Sequence, residues 1–349
     1  MIIERQVVDS PKGDISLYTL TNSNGAKVVL SSVGAGIVSI IVPDRFGCMD
    51  DVVLGYKDVR DYLYDGPCAG KIAGRYANRI ARGIFAIDDT TYQLAVNCGP
   101  NHLHGGPEGF QNQIWDSALT TSGVRFSRIS PDGEEGYPGL VDVVVEYSWN
   151  DNNELSMEMT AVSDKKTVIN LTNHSYFNLA GESAGSVLNH TLWLNSEKYL
   201  PTDDSLVPNG IFADVAGTPM DFTWTKKLGQ DINADFPALI YGKGYDNCWA
   251  ISGWKKGEMN VAARLKCGLS GRVLEILTTQ PAVQVYTGNW LSDSPVNKQG
   301  GHYCDYDGVA IECQAMPDAP NKPSFPSTIL SPGETYREII VFKFTTENI

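Results

Sequence analysis

Positive charge is scarce in this chain, which has 27 lysine and arginine residues against 41 aspartate and glutamate residues and a formal net charge of −14. Nucleic acids and anionic membranes are bound by clustered cationic side chains, so we expect neither as a partner. No apolar stretch approaches the roughly 18 residues that a membrane helix needs. The opening segment contains Glu4, Arg5 and Asp9. It therefore lacks the apolar core of a secretory signal peptide, and we expect a cytoplasmic protein.

Cysteine motifs are missing as well. The seven cysteines are odd in number and are scattered without a Cys-x-x-Cys pair. A structural zinc site and a disulfide framework are therefore not expected, and reduced thiols agree with a cytoplasmic location. The glycine-rich signatures of nucleotide-binding loops, GxxxxGK(S/T) and GxGxxG, do not occur either. We predict a protein that uses no metal ion and no organic cofactor.

What the chain does contain is a series of short β-strand patterns separated by turns. Its 34 glycines and 18 prolines punctuate segments rich in Val, Ile, Thr and Tyr. Hairpin turns are predicted at Asn24-Gly25, at Asp88-Asp89 and at residues 151–153. Further strands are predicted at residues 272–277, 283–287, 309–314 and 337–344. Helical periodicity is limited to residues 57–64, so we predict an all-β fold: one domain over residues 1–349, built as a large antiparallel β-sandwich of two broad sheets packed face to face.

Histidine is rare, with five residues, so each one is a candidate for chemistry. His190 lies in an alternating strand pattern and His302 follows two glycines in a loop, and we interpret both as structural or solvated residues. His104 lies in the turn-rich segment 100–107, where paired glycines would let the backbone approach a ligand closely. A solvated hairpin corner explains His104 equally well.

His174 lies in the segment 169–179, which places three asparagines, a threonine, a serine and a tyrosine on an otherwise apolar strand. Unpaired polar groups in a protein interior cost about 1–3 kcal/mol each. A buried strand that collects so many of them indicates a ligand or a hydrogen-bonding network. We predict that His174 belongs to a functional site, with Asn173, Tyr176 and Asn178 fixing its ring and tautomer.

Glu312 is the sharpest candidate for a catalytic base, because it interrupts the apolar strand 309–314. Burial there would raise its pKa and make the carboxylate a stronger base. Strand alternation could equally place it on a solvated face. Other polar insertions into apolar surroundings occur at Asn78, Arg79, Asp246 and Gln284. Aromatic residues that belong to the core or pack on a sugar ring are nearby: Tyr176, Trp249, Tyr286 and Trp290.

A metal site of the cupin type is the competing interpretation. His102 and His104 with Glu108 imitate the HxHx₃E ligand spacing. However, glycines and a proline at 105–107 interrupt the strand that should carry those ligands. No downstream element completes the ligand set, which a metal bound by nitrogen and oxygen requires. We therefore prefer a site without a metal.

Taken together, the motifs resemble those of the galactose mutarotase (aldose 1-epimerase) family, in order along nearly the whole chain. They are residues 51–55 (DVVLG), 74–80 (GRYANRI), 101–106 (NHLHGG), 172–179 (TNHSYFNL), 245–246 (YD), 280–289 (QPAVQVYTGN) and 312–321 (ECQAMPDAPN). The departure is Asn247-Cys248, where many members of the family have a histidine after the aspartate. That difference affects the expected detail at one edge of the pocket.

The resemblance implies a β-sandwich of unusual size, a supersandwich, and an isomerase reaction without metal or nucleotide. By position, Glu312 corresponds to the catalytic base of the family, His174 to its general acid and His104 to the second active-site histidine. Residues that would bind the sugar are Asn78, Arg79, Asp246, Gln284 and Tyr176. The reaction interconverts the α and β anomers of a free aldose such as galactose or glucose. It needs an ionised base and a protonated acid together, so a bell-shaped pH profile is expected, with the acidic limb following Glu312 and the basic limb His174.

Three alternatives remain open on the sequence. A non-catalytic carbohydrate-binding protein could use the same aromatic and amide side chains, but it has no need for Glu312 and His174 together. A glycoside hydrolase would need two flanking carboxylates. A relative acting on a phosphorylated sugar should show several cationic residues, whereas Arg79 alone stands in these motifs. We expect a monosaccharide as the partner, and a monomer or weak homodimer as the assembly.

Overall fold

The computed structural model of the protein describes residues 1–347, and within that range the regular secondary structure is almost entirely β-strand. The strands are numbered β1 to β28 along the chain. Their bounds, in that order, are Ile2–Val8, Ile15–Thr21, Lys27–Ser31, Gly36–Pro43, Met49–Asp51, Ile72–Ala73, Arg79–Ile80, Ile84–Ile87, Thr90–Gln93, His102–Leu103, Asp116–Leu119, Gly123–Ser130, Val141–Trp149, Glu154–Ser163, Thr167–Val168, Thr172–Asn173, Tyr176–Phe177, Thr191–Leu194, Lys198–Tyr199, Ala213–Asp214, Lys226–Lys227, Asp246–Ala250, Asn260–Lys266, Arg272–Thr278, Ala282–Tyr286, Val309–Gln314, Ile329–Leu330 and Tyr336–Thr346. The helical elements are α1 at Pro237–Gly242 and 3₁₀ turns at Val59–Leu63, Ala81–Gly83, Phe110–Asn112, Glu134–Gly136, Val187–Asn189 and Ala319–Asn321.

Three large antiparallel sheets contain most of the strands. The first has nine strands in the order β11-β12-β13-β14-β28-β24-β23-β18-β21, and the second has six in the order β17-β26-β25-β22-β19-β20. The third is the five-stranded meander β1-β2-β3-β4-β5. The predicted all-β antiparallel fold is confirmed. We expected two broad sheets, whereas the structure has three large ones, because the N-terminal strands β1 to β5 form a separate sheet.

The main hydrophobic core draws on all three sheets. Phe342 on β28 and Phe177 on β17 join the nine-stranded and six-stranded sheets, with ring centroids 5.1 Å apart. Val28 on β3 and Val283 on β25 belong to the same buried cluster. Apolar burial contributes about 25 cal/mol per Å², so this shared core is the main source of stability and holds the six-stranded sheet in place.

The three predicted hairpins are present, since β2 pairs with β3, β8 with β9 and β13 with β14. The predicted helix at 57–64 is shorter than expected. Only Val59–Leu63 is helical, and it forms a 3₁₀ turn whose N-cap Asp58 accepts a hydrogen bond from the Arg60 N–H. Such short segments use the tighter 3₁₀ pattern because they are too brief for stable α-helical propagation. Helix α1 was not predicted; its signal is Pro237 in the first turn.

The described residues contain no helix that is long and apolar enough to cross a membrane. All seven cysteines fall within residues 1–347, and each is a free thiol. Covalent cross-links between cysteines therefore take no part in holding this fold.

Candidate active site

Strand β26 positions the carboxylate at the centre of the site. All six residues of this strand are buried. Val309, Ile311 and Cys313 belong to the main core, so strand alternation turns Glu312 to the opposite face of the six-stranded sheet. That face is covered by loops, and Glu312 is only 2% exposed. The alternative of a solvated Glu312 is therefore wrong, because both faces of β26 are covered.

A cavity of about 800 Å³ lies over this face of the sheet. Seven of the eight site residues suggested by the sequence line it: Asn78, Arg79, His104, His174, Tyr176, Asp246 and Glu312. The eighth, Gln284, does not line the cavity but donates a hydrogen bond to Asp246, which does. The fold thus gathers into one cavity residues that are spread from position 78 to position 312 of the sequence.

Glu312 and His174 form a close pair in the cavity wall. Nε2 of His174 lies 3.4 Å from Oε1 of Glu312. His174 is 5% exposed, so solvent has little access to either side chain. Oε2 of Glu312 and Nδ1 of His174 have no hydrogen-bond partner within the protein. The pair can therefore offer hydrogen-bonding atoms to a ligand, and such contacts often tighten when substrate binds.

The backbone of His174 is held on both sides by the segment that precedes β6. Its N–H donates to the carbonyl of Lys71 at 2.9 Å, and its C=O accepts from the N–H of Gly70 at 2.9 Å. Strand β16 pairs with β6 immediately before it, with Asn173 opposite Ile72. These contacts fix the backbone position from which the His174 side chain extends.

The other polar residues around His174 form a structural network. Their side-chain amides donate to backbone carbonyls of neighbouring segments: Asn170 to Ala77 at 3.1 Å, Asn173 to Gly70 at 2.7 Å and Asn178 to Gly185 at 2.6 Å. The prediction that Asn173 and Asn178 fix the His174 ring is wrong, because their amides are used by the backbone. The ring packs instead against three other rings, with centroid distances of 5.2 Å to His104, 5.0 Å to Tyr176 and 6.5 Å to Tyr286.

Burial sets the protonation state of the pair. It raises the pKa of Glu312 well above its ordinary value; the negative charge of Asp246 adds to this effect and Arg79 opposes it. Burial also lowers the pKa of His174 to about 4. Burial therefore acts against the charged forms of both groups and favours a protonated Glu312 beside a neutral His174, the reverse of the order for the free side chains. At intermediate pH the pair shares one proton, and burial favours the arrangement with that proton on Glu312.

His104 is held as a neutral hydrogen-bond donor. Its Nδ1 accepts from the N–H of Asn78 at 3.1 Å, so Nε2 carries the proton of the neutral ring. Its own N–H donates to the Asn78 carbonyl at 3.2 Å, which supports a left-handed backbone with φ of 52°. Burial, with the nearby His174 and Arg79, lowers the pKa of His104 well below its ordinary value.

A second polar group lies beside the pair and is centred on Asp246. Gln284 Nε2 donates to Oδ1 of Asp246 at 2.7 Å, and Nη2 of Arg79 lies 3.4 Å from Oδ2. The strand register explains the placement, because Gln284 is directly opposite Glu312 on β25 and β26. Arg79 Nε and Gln284 Oε1 are buried without partners in the protein. Unpaired buried atoms are costly, so the group is built to receive further hydrogen bonds.

Three of the four aromatic residues singled out in the sequence lie at the cavity. Tyr176 donates from its hydroxyl to the Pro67 carbonyl at 3.0 Å. Trp290 stacks on Tyr286 with ring centroids 6.3 Å apart and is 42% exposed at the cavity wall. Trp249 is different, because it is buried in the main core.

Sequence reasoning assigned no role to the other residues that complete the cavity wall. They are Gly66, Pro67, Cys98, Gly99, Pro100, Leu103, Asp204, Ser205, Leu206, Tyr241 and Asp293. Most of them come from irregular segments without a periodic pattern, and only the fold brings these segments over the sheet. The glycines and prolines among them mark turns, which is the one signal the sequence offered.

The remaining histidines have structural surroundings. His102 points away from its neighbour His104: its Nδ1 lies 2.7 Å from the Ala95 carbonyl and its Nε2 lies 2.6 Å from the Tyr137 hydroxyl. The two histidines of the cupin-like spacing therefore do not converge. No group of three or more His, Cys, Asp or Glu side chains among residues 1–347 is arranged to hold a metal ion. His190 is buried and accepts a hydrogen bond from the Leu179 N–H, while His302 is exposed.

The sequence of the chain is similar to those of known proteins. The family model described as aldose 1-epimerase matches residues 16–343. The chain is 43% identical to galactose mutarotase of Homo sapiens over 333 residues, which cover 95% of each chain. It is 36% identical to aldose 1-epimerase of Escherichia coli K12 over 334 residues, again with 95% of each chain covered.

Solved structures of known proteins superpose on the fold of this chain. A homologue of aldose epimerase from C. elegans superposes with a TM-score of 0.87 at 30% sequence identity, covering 99% of this chain and 100% of the other. Galactose 1-epimerase from Lactobacillus acidophilus superposes with a TM-score of 0.85 at 28% identity and the same coverage. The supersandwich expected from the motifs is therefore confirmed.

Proposed function

The chain belongs to the aldose 1-epimerase family, and from that premise we propose that it interconverts the α and β anomers of free hexoses such as galactose and glucose, with Glu312 as base and His174 as acid. The observation that carries these roles is the 3.4 Å contact between His174 Nε2 and Glu312 Oε1. Both groups are buried, both have an unpartnered polar atom, and both line a cavity large enough for a sugar.

Ring opening requires one proton to leave the sugar and another to arrive. Ionised Glu312 takes the proton of the C1 hydroxyl, and the carbonyl forms at C1. The bond between C1 and the ring oxygen breaks, its electron pair goes to that oxygen, and protonated His174 donates a proton there. Rotation about C1–C2 presents the other face of the aldehyde. On closure His174 recovers its proton from the C5 hydroxyl and Glu312 returns its proton to the carbonyl oxygen, so both groups regain their starting state.

The productive proton arrangement is a minor tautomer of the resting pair. Catalysis begins with the proton on His174, whereas burial places it mostly on Glu312. The two groups are 3.4 Å apart, longer than an ordinary hydrogen bond, so the proton is exchanged between them only when this contact tightens on sugar binding. Sugar hydroxyls that donate to Glu312, together with the nearby charge of Arg79, favour the ionised carboxylate and so raise the fraction of the productive form.

The other polar residues hold the sugar. Arg79 Nε and Gln284 Oε1 are available for hydrogen bonds, and Asp246 is oriented by the side chains of both residues. His104 offers Nε2–H to a sugar oxygen, because Asn78 occupies its Nδ1. Preorganised donors of this kind reduce the cost of orienting the substrate.

Replacing His104 with glutamine should weaken sugar binding more than it slows chemistry. Glutamine retains an N–H donor but not the ring held by Asn78, so we expect KM to rise and kcat to fall less than it does when His174 is replaced. Steady-state polarimetry with α-D-galactose gives both constants. A loss of kcat equal to that of a His174 variant would mean that the acid is assigned to the wrong histidine.

An unphosphorylated sugar is the substrate that the charges favour. The cavity is lined by four carboxyl side chains, Asp204, Asp246, Asp293 and Glu312, and by one guanidinium, that of Arg79. Even with Glu312 protonated, three aspartates face one guanidinium, so a phosphate dianion would be repelled. We therefore expect kcat/KM for galactose 6-phosphate to be lower than for galactose by about 100-fold or more, an effect of about 2.7 kcal/mol. Equal values for the two sugars would favour the alternative of a phosphorylated substrate.

The function itself is tested by polarimetry of freshly dissolved α-D-galactose and α-D-glucose. Addition of the protein should bring the optical rotation to its equilibrium value much faster than spontaneous mutarotation does. The rate should be the same in the presence of EDTA, because the proposed chemistry uses protein side chains alone. Sugar binding without acceleration would instead indicate a non-catalytic carbohydrate-binding protein, and loss of the rate in EDTA would restore the metal hypothesis.

We also propose the domain organisation, the cellular compartment and the oligomeric state of the protein. The main core draws on all three large sheets, which supports a single domain over residues 1–349. The free thiols support the cytoplasm as its compartment. All the proposed site residues belong to one chain, so a monomer or a weak homodimer is sufficient for activity.

A further inference from the structure

Beside the cavity lies a buried ion pair that the proposed chemistry does not use. Lys71 Nζ bonds to Asp65, and both side chains are 0% exposed. Lys71 Nζ also donates to the Tyr62 carbonyl at 2.6 Å and to Asn112 Oδ1 at 3.1 Å. Burying two charges costs free energy that their attraction only partly returns, so such a pair is weak evidence for a role in stability alone.

The two charges close a loop that forms part of the cavity wall. Gly66 and Pro67, which lie between them in the chain, line the cavity. Asp65 Oδ2 accepts hydrogen bonds from the Ala69 N–H at 2.8 Å and from the Tyr56 hydroxyl at 2.9 Å. The loop of residues 65–71, called here the clamp loop, is therefore fixed at both of its ends.

The clamp loop holds the acid of the catalytic pair. Gly70 and Lys71 make the two backbone hydrogen bonds to His174, each 2.9 Å long. Pro67 accepts from the Tyr176 hydroxyl at 3.0 Å, and the Tyr176 ring packs on His174. A shift of the clamp loop would therefore move His174, whereas Glu312 is carried by the separate strand β26.

We propose that Asp65 and Lys71 are positioning residues for the reaction: their buried ion pair sets the clamp loop so that His174 Nε2 stays in reach of Glu312. The inference rests on the proposed function, because it assigns a purpose to the pair only if His174 acts on a substrate. Neither residue touches the sugar. Both act through the backbone of His174.

Lys71 also acts on His174 through its charge. Burial is the main cause of the low His174 pKa, and the ammonium of Lys71 lowers it further. The titratable groups that face His174 are Glu312, His104, Tyr176, Tyr286 and Asp246. Asp65 carries the opposite charge, but Lys71 has the larger effect on His174, so removing both charges while the other groups remain should raise the pKa of His174. The acidic limb of the pH profile, which burial assigns to His174, should then move to higher pH.

The test is the double substitution Asp65→Asn with Lys71→Met, because either change alone leaves one buried charge unpaired. We expect kcat on α-D-galactose to fall by about 100-fold, the cost of a misplacement of about 1 Å at a catalytic group. KM should change much less, since Arg79, Asp246 and Gln284 are untouched. Kinetics across pH, at a temperature well below the unfolding midpoint of each variant, give the rates and the limb position.

Arg272→Met is the matched control. Arg272 is a buried cation that donates to the carbonyls of Val42, Leu179 and Cys48, and it does not line the cavity. We expect this variant to have a lower unfolding midpoint but the kcat and the acidic limb of the wild type. A general loss of stability would affect both variants in the same way, whereas positioning affects only the double variant.

Three outcomes would overturn the inference: a folded double variant with wild-type kcat, an acidic limb that does not move, or an equal loss of kcat in Arg272→Met. If the double variant does not fold, Tyr56→Phe replaces it, since it removes only the hydroxyl bond to Asp65. A lowered kcat at constant KM is then expected, and an unchanged kcat would overturn the inference. A wild-type protein that does not accelerate mutarotation would instead refute the proposed function.

Discussion

Replacing Glu312 with glutamine is expected to remove nearly all mutarotation while leaving the fold and the affinity for galactose mostly intact. Glutamine has almost the same shape and still accepts and donates hydrogen bonds, but it cannot take the proton from the C1 hydroxyl. Loss of a positioned proton-transfer group lowers rates by about 10²–10⁴-fold. The measurement is polarimetry for kcat and calorimetry for galactose affinity.

Glu338→Gln is a suitable control for the Glu312 substitution. Glu338 is a partly buried carboxyl that is hydrogen bonded to Thr279, and burial raises its pKa too. It does not line the cavity, so this variant should keep the wild-type rate. A Glu312→Gln variant with wild-type kcat would remove Glu312 from its proposed role.

Replacing His174 with asparagine should lower kcat by about 100-fold or more, because general acid catalysis is lost. Asparagine keeps a polar side chain at the same backbone position, whose two hydrogen bonds to Gly70 and Lys71 are retained. A severe loss of kcat with a small change in KM is the expected pattern. An activity equal to that of the His104→Gln variant would contradict it.

The pH profile of His174→Asn shows which of the two groups, His174 or Glu312, loses its proton at the lower pH. In the wild type the active pair carries one proton, so activity falls when the pair gains a second proton at low pH and when it loses the shared proton at high pH. Burial lowers the pKa of His174 and raises that of Glu312, which places the acidic limb on His174 and the basic limb on Glu312. Without His174 the variant depends on ionised Glu312 alone. Its activity should therefore rise with pH through the elevated pKa of Glu312, with no basic limb.

The ordinary pKa order would produce a different profile. If Glu312 titrated first and His174 second, as their free side chains do, the basic limb would still disappear in His174→Asn. The acidic limb, however, would stay where it is in the wild type. If burial reverses the order of the two pKa values, the acidic limb of His174→Asn should lie at higher pH than that of the wild type. An acidic limb at the wild-type position would mean that burial does not reverse this order.

Most of the fold could be predicted from the sequence, because hairpins and strands are marked by local patterns of residues. Turn residues mark the hairpins, and alternation along residues 141–162 identifies two adjacent strands, β13 and β14. The third sheet was not predictable in the same way. Strands β1 to β5 form a simple meander, and nothing local in such a segment says whether it joins an existing sheet or forms a separate one.

The sequence by itself determined which side chains are candidates for chemistry. Glu312 and His174 are polar residues within apolar strands, and their burial carries a free-energy cost that a working site can justify. The motifs that contain them also identified the family, because several motifs typical of that family occur in this chain in the same order. Both signals are local in sequence and need no knowledge of contacts.

Only the tertiary structure decided how those side chains are used. The amides of Asn173 and Asn178 were expected around the His174 ring, but they donate to the backbone carbonyls of Gly70, Gly185 and Asp307. The order of proton release in the catalytic pair depends on burial and on the charges of Asp246 and Arg79. These effects arise between groups that are far apart in the chain and close in space, and for that reason a local pattern cannot contain them.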